Sequence, residues 1–236
     1  MPMTLRIDRQ TVWLFDLDNT LHDAGAHVFG ELNRTMGAYV ERELGLPTDQ
    51  ANALRRHYWL RYGATLLGLM RHHGVKAAHF LHDTHNLPGL ERLVNGHRHD
   101  FATLARLPGR KFILTNAPRA YALRVLGALR IGHLFDGVIT IEDMAMFGQL
   151  RPKPDARMLR AMAVSLGVMP SRCVLVEDTL VHQKSARKVG MGTVWMQRFA
   201  RRVAAGGQHG GPTVARWSMA PAYVDRRVRA LRSLLR

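Results

Sequence analysis

Cysteine is almost absent: Cys173 stands alone among 236 residues, so no disulfide can close within the chain. Long apolar runs are missing as well, since no stretch approaches the roughly 18 residues that a spanning helix needs. The opening MPMTLRIDRQ carries charge where an export signal would have an apolar centre. These absences point to a cytoplasmic protein with no membrane segment. No internal repeat is visible. Acidic residues are scarce, 18 against 34 Lys and Arg, which leaves a formal charge of +16. Half of that excess lies late in the chain, where nine arginines from Arg198 onward face one acid, Asp225. Such a balance favours anionic partners and substrates without saying which. At 47% hydrophobic and 22% charged, the composition is otherwise that of a globular protein with a sizeable core.

The most informative stretch is Val12 to Leu21, VWLFDLDNTL. Val12, Trp13, Leu14 and Phe15 form a short apolar run suited to a strand buried on both faces. It ends in Asp16, and a second acid, Asp18, follows two residues on. At a strand end that spacing points both side chains to one side. Two carboxylates converging there resist joint ionisation. A proton or a hard divalent cation, Mg²⁺ above all, would relieve the repulsion.

From Thr20 to about Asn95 the chain is helix-rich. Phe29, Leu32, Met36, Tyr39, Val40 and Leu44 recur at helical spacing, and a second helix runs through Leu54, Tyr58 and Tyr62 to Gly63. Ala64–His73 and Ala77–His85 suggest two more. Strand signals resume at Lys111–Leu114, followed by Thr115 and Asn116, a helix over Arg119–Leu129, and a strand candidate over Phe135–Ile141. A helix over Pro154–Leu166 precedes the apolar run Cys173–Val176, where Cys173 reads as a small buried hydrophobe. Glu177 and Asp178 end that run. A helix about Gln183–Val189 and a strand over Thr193–Met196 follow. Alternating strands and helices imply a parallel sheet covered on both faces, with ligands beyond the carboxyl ends of the strands. Asp16, Asp18, Thr115, Asn116, Glu177 and Asp178 all fall at such ends. Residues 200–220, with two Gly pairs, read as a linker. Val224, Val228, Leu231 and Leu235 then suggest a short basic amphipathic helix.

With FDLDNTL, Thr115-Asn116, Arg151-Pro152-Lys153-Pro154 and Val176-Glu177-Asp178 in this order, residues 12–197 resemble the haloacid dehalogenase-like phosphohydrolases. The phrase FDLDNTLH, the stretch Tyr62–Met70 and Leu107-Pro108-Gly109-Arg110-Lys111 are similar to the pyrimidine 5′-nucleotidase branch. The resemblance implies an α/β fold: a Rossmann-like parallel-sheet core from 1–21 and 97–200 with a helical cap over 22–96; residues 201–236, beyond its reach, read from their own composition as a basic linker and amphipathic helix. It implies Asp16 as nucleophile forming an aspartyl-phosphate, and Asp18 as general acid and then base. Thr115 and Asn116 would donate to phosphoryl oxygens, and Lys153 would offset negative charge. Mg²⁺ would be held by Asp16, the backbone carbonyl of Asp18, and Asp178. An acid at position 18 argues for phosphoryl rather than carbon–halogen chemistry. The chain departs from the family at His22, often Tyr in this branch, where the first turn of the cap would present a different group to substrate. It departs again at His182, usually Asp or Asn, which would weaken support for the metal. Glu177 reads equally as an auxiliary metal group or as a supporting residue.

The expected activity is hydrolysis of small phosphomonoesters, with UMP and CMP favoured among nucleoside 5′-monophosphates. A sugar phosphate or pyridoxal phosphate is the alternative within the same chemistry. A nucleic-acid-binding scaffold using the basic tail ranks below both, because the motifs are intact and the tail offers only Trp217 and Tyr223 for stacking. The histidines do not read as a metal site: His79, His82 and His85 are spaced around a helix. His82-Asp83 and His99-Asp100 match a dyad of another phosphohydrolase class, but in the wrong fold. Arg71, His72 and His73 are candidates to face substrate from the cap.

Overall fold

The computed structural model describes residue 5 and residues 7–199 and 220–235. Eight strands and nine helices are named in chain order: β1 (Val12–Phe15), α1 (Val28–Leu44), α2 (Thr48–Tyr62), α3 (Thr65–His73), α4 (Ala77–His85), α5 (Leu90–Leu93), α6 (Arg98–Arg106), β2 (Arg110–Leu114), α7 (Arg119–Leu129), β3 (Gly137–Ile139), β4 (Ala145–Met146), β5 (Gln149–Leu150), α8 (Ala156–Ser165), β6 (Cys173–Glu177), α9 (Leu180–Lys188), β7 (Gly192–Met196) and β8 (Arg226–Val228). Six strands form one sheet in the order β3-β2-β1-β6-β7-β8, and every pairing in it is parallel.

β1 lies in the middle because it can be buried on both sides. Trp13 and Phe15 face a cluster that includes Leu104, Tyr121 and Val125, while Val12 and Leu14 face Met158, Leu159 and Met162. The continuous VWLF run, rather than an alternating one, is what such a position demands. Phe15 pairs with Ile113 of β2 and Val176 of β6. The next residue of each strand therefore emerges at the same rim.

Helices α1–α4 form a cap with a core of its own, built on Tyr39, Val40, Tyr58, Leu66, Leu69, Phe80 and Leu81, while Leu90 of α5 and Leu104 of α6 pack into the sheet core. Ile141 and Leu150 join that cluster from the sheet side and dock the cap. Cap entry and exit are stitched together where His22 bridges Gly96 and Asp23 N–H donates to Asn95 O at 2.9 Å. Gly68 is needed inside α3 because an added Cβ would come within 2.1 Å of the Tyr58 ring.

The expected amphipathic helix at the carboxyl end is replaced by a strand. Residues 226–228 form β8 on the open edge of β7, and Leu231–Leu235 is a 3-10 turn. Val224 and Val228, four apart, satisfy a period of two as well as one of 3.6. The free edge of β7 and the Asp225 side chain decide between them. That carboxylate accepts from Thr193 N–H at 2.9 Å and pairs with Arg187. The Gly-rich linker reading, and Trp217 with it, lies outside the described residues.

Candidate active site

Asp16 follows the last residue of β1, and its N–H still donates to Val176 O at 2.9 Å. The chain then turns through Leu17–Leu21. Asn19 takes the left-handed conformation (φ 58°) that Asn tolerates, and its side chain accepts from Gly25 N–H. Thr20 Oγ1 donates to Asp16 Oδ2 at 3.1 Å. The other Asp16 oxygen, Oδ1, accepts from Lys153 Nζ at 2.7 Å, and the same ammonium donates to Glu177 Oε2 at 2.7 Å. Lys153 is 1% exposed. Residues 16, 153 and 177, far apart in the chain, thus meet in one buried ion cluster.

Thr115 lies at the end of β2, where its Oγ1 accepts from Ala117 N–H at 3.0 Å and keeps its own proton to donate. The Asn116 side chain is engaged with the loop carrying the lysine. Its Oδ1 accepts from Lys153 N–H and its Nδ2 donates to Lys153 O, each at 2.9 Å. Asn116 therefore holds Lys153 in place and has one amide hydrogen left.

Asp178 follows the last residue of β6, with Thr179 Oγ1 donating to its Oδ1 at 3.1 Å and Trp195 Nε1 donating to its backbone O at 2.8 Å. Oxygens of Asp16, Glu177 and Asp178 lie within 4.8 Å of one another. Burial, then the charges of Glu177 and Lys153, set the Asp16 carboxyl, with a net rise to about 7. Burial and the neighbouring Glu177 and Asp16 push Asp178 well above the usual range. Glu177 moves down: burial opposes its charge, but Lys153 and His182 outweigh that. One ammonium shared by two of three clustered acids leaves unmet negative charge, and the donors are all oxygen. That set fits a hard divalent cation such as Mg²⁺.

Asp18 is also at this rim, half-buried. Both Tyr121 Oη, at 2.6 Å, and His22 Nε2, at 2.8 Å, lie on its Oδ1. Burial raises this carboxyl, yet the two hydrogen bonds carry the net shift downward. Burial and the charge of Asp18 push the Tyr121 phenol well up, so it keeps its proton and donates. His22 is fully buried. The expectation that position 22 presents a group to substrate is overturned, because its ring is turned onto Asp18. His182 Nδ1 lies 3.0 Å from Glu177 Oε2 but lacks the direction of a hydrogen bond.

The roles of Tyr121, His22 and Thr20 toward the two acids escaped the sequence reading. In the sequence Tyr121 shows only four-residue spacing with Val125 and Leu129 on one helix face, a signal that reads as core. The other histidines do not converge. His79 bonds Tyr39, His82 pairs with Asp83 on the surface, and the His85 ring stands edge-on to Tyr121 at 5.8 Å. Burial pushes His85 down to about 4. His72 and His73 bond Tyr62 and Tyr58 within the cap. Asp100 is structural: it accepts from Leu231 N–H and pairs with Arg198.

A family model for haloacid dehalogenase-like hydrolases matches residues 11–190. Phosphate metabolism protein 8 of Saccharomyces cerevisiae is 24% identical over 197 residues, which cover 78% of this chain and 60% of that protein. The chain thus spans less than two thirds of the length of this curated relative. Among solved structures, a HAD phosphatase from Thermococcus onnurineus aligns with a TM-score of 0.59 at 22% identity over 95% of each chain. L-2-haloacid dehalogenase from Xanthobacter autotrophicus aligns at 0.54 and 17% identity, over 95% of this chain and 96% of that one. The same fold therefore accompanies both chemistries, and the fold by itself does not choose between them. No helix among the described residues is long and apolar enough to cross a membrane.

Proposed function

The chain belongs to the haloacid dehalogenase-like hydrolase family, and from that premise we propose that it is a Mg²⁺-dependent phosphomonoesterase with Asp16 as nucleophile. The observation that carries this reading is Asp18: a second carboxylate two residues beyond the nucleophile, at the same rim. Displacement at carbon needs no proton donor for a halide, whereas an alkoxide leaving from phosphorus does.

In the first half-reaction an Asp16 oxygen lone pair forms a bond to phosphorus. The ester P–O bond breaks with its electrons on the leaving oxygen, which takes a proton that Asp18, ionised in the free site, picks up as the ester arrives. In the second, Asp18 accepts a proton from water as the water oxygen attacks phosphorus. The Asp16–phosphorus bond then breaks, and the carboxylate is restored. One water is consumed and one alcohol and one phosphate are released. Thr115 Oγ1 and the remaining Asn116 amide hydrogen donate to phosphoryl oxygens, while Lys153 keeps Asp16 aligned and offsets the developing charge. Mg²⁺ held by Asp16, Asp178 and the Asp18 carbonyl supplies, when bound, the charge that lets an anionic ester approach a carboxylate. Asn116 supports this chemistry chiefly by fixing the Lys153 loop.

Nucleoside 5′-monophosphates, UMP and CMP first, are the substrates we favour, on the resemblance of FDLDNTLH and of the α2–α3 stretch to that branch. The test is phosphate release from UMP, CMP, AMP, GMP, sugar phosphates and pyridoxal phosphate, with Mg²⁺ or EDTA, beside Asp16→Asn. Mg²⁺-dependent release that the variant lacks supports the mechanism, and selectivity for UMP and CMP supports the substrate. Full release by Asp16→Asn would refute the assignment of the nucleophile.

A further inference from the structure

Asp18 is gripped from two separate parts of the chain, and both grips fall on the same oxygen. Tyr121 comes from the first turns of α7 in the sheet domain, and its Oη lies 2.6 Å from Asp18 Oδ1. His22 comes from the strand-like entry to the cap, and its Nε2 lies 2.8 Å from that atom. Among the described residues none donates to Oδ2. His22 Nδ1 is buried without a partner. A tautomer with its hydrogen on Nε2 leaves only an acceptor unmet there, so the ring serves Asp18 as a donor.

We propose that Tyr121 is a positioning residue for proton transfer, which with His22 locks Asp18 Oδ1 so that Oδ2 alone exchanges the proton with the leaving oxygen and with water. The proposal rests on the phosphomonoesterase reading above. Two donors converging on one carboxylate oxygen remove rotation about the Cβ–Cγ bond. The free oxygen is then held in one orientation before substrate arrives, where an ungripped carboxylate would sample many. Tyr121 is 1% exposed and surrounded by core, with Val125 and Leu126 on the same helix and the His85 ring against its edge. Its hydroxyl therefore has a fixed origin. His22 pairs with Gly96 across the cap entrance, so the second donor is anchored where the chain enters and leaves the cap.

The test is Tyr121→Phe, which keeps the buried ring and deletes one oxygen. kcat/KM is measured with Mg²⁺ on an alkyl phosphate, whose departure needs a proton, and on 2,4-dinitrophenyl phosphate, whose departure does not. We expect a loss of about ten- to a hundredfold on the alkyl ester, the worth of one hydrogen bond to a charged group. On the dinitrophenyl ester the loss is expected to stay within about twofold. In an Asp18→Asn background, Tyr121→Phe should cost nothing further on the alkyl ester, because Tyr121 acts through Asp18. Equal losses on the two esters, or a full additional loss in the Asp18→Asn background, overturn the proposal and leave the phosphomonoesterase reading standing. Wild-type protein that hydrolyses neither ester overturns that reading, and the proposal with it.

Discussion

Replacing Lys153 by Met removes the single ammonium that lies on both Asp16 and Glu177, each at 2.7 Å. At an effective dielectric of about 20, each contact has a gross Coulomb energy of roughly 6 kcal/mol, largely offset by the desolvation of three charges. What survives the offset is asymmetric. The variant retains the desolvation of two carboxylates without their counter-charge, and breaking a buried pair in this way costs about 3–5 kcal/mol. The penalty has a ceiling because a carboxyl can take up a proton instead. Asp16, already raised to about 7 with Lys153 present, is the group that does so.

The sign of the pH dependence follows. Without Lys153 the folded-state pKa values of Asp16 and Glu177 both move above their ordinary values of 3.8 and 4.5. The folded variant then binds more protons than the unfolded chain, so its stability falls as pH rises through the raised values. Urea unfolding in EDTA at pH 5.5 and 7.5 should show a deficit near 3–5 kcal/mol at the higher pH and a smaller one at the lower. Adding Glu177→Gln to the variant should recover a large part of the deficit at pH 7.5. A deficit under about 1 kcal/mol, the value of an exposed pair, or one that grows as pH falls, would refute the claim that this cluster is buried and mutually dependent. Phosphate release should drop about a hundred- to a thousandfold in the same variant, as for loss of a preorganised charge at a reacting oxyanion.

Gly68→Ala forces a Cβ to within 2.1 Å of Tyr58 Cγ, against a ring rather than a flexible end. We expect about 1–3 kcal/mol of overpacking, read as faster amide exchange in α2 and α3 with the sheet core unchanged. Cys173 is fully buried and burial pushes its thiol from 9.0 up to about 11. The native thiol should resist disulfide reagents at pH 8. The wild type should also lose about 2–3 kcal/mol between pH 9 and 11 that Cys173→Ala does not lose, since the unfolded thiol ionises first. Asp225→Ala strips Arg187 of its partner and Thr193 N–H of its acceptor. β8 should then leave the sheet edge, seen as protease cleavage near residues 220–230 at least tenfold faster than in wild type.

The sequence determined a good deal of this protein. The VWLF run suits a strand buried on both faces, and acids placed just beyond apolar runs gather at one rim once the strands are parallel. Both inferences depend on local patterns, and the order of strands and helices carries them. The segment at Val224–Leu235 shows where local pattern fails: four-residue spacing fits a strand and a helix equally, and the free edge of β7 settled it. Asn116 reads as a phosphate contact from its place after β2, and the pair of hydrogen bonds it also makes to the Lys153 backbone is nowhere in the local pattern. The grip of Tyr121 and His22 on Asp18 was invisible for the same reason. A hydrogen bond between residues 18 and 121 has no period and no composition, and it exists only because α7 packs on the face of β1 that carries Trp13 and Phe15. The sequence thus set which chemical groups reach the rim. Tertiary packing decided which donors reach each carboxylate: both oxygens of Asp16 accept, whereas the two grips on Asp18 fall on Oδ1.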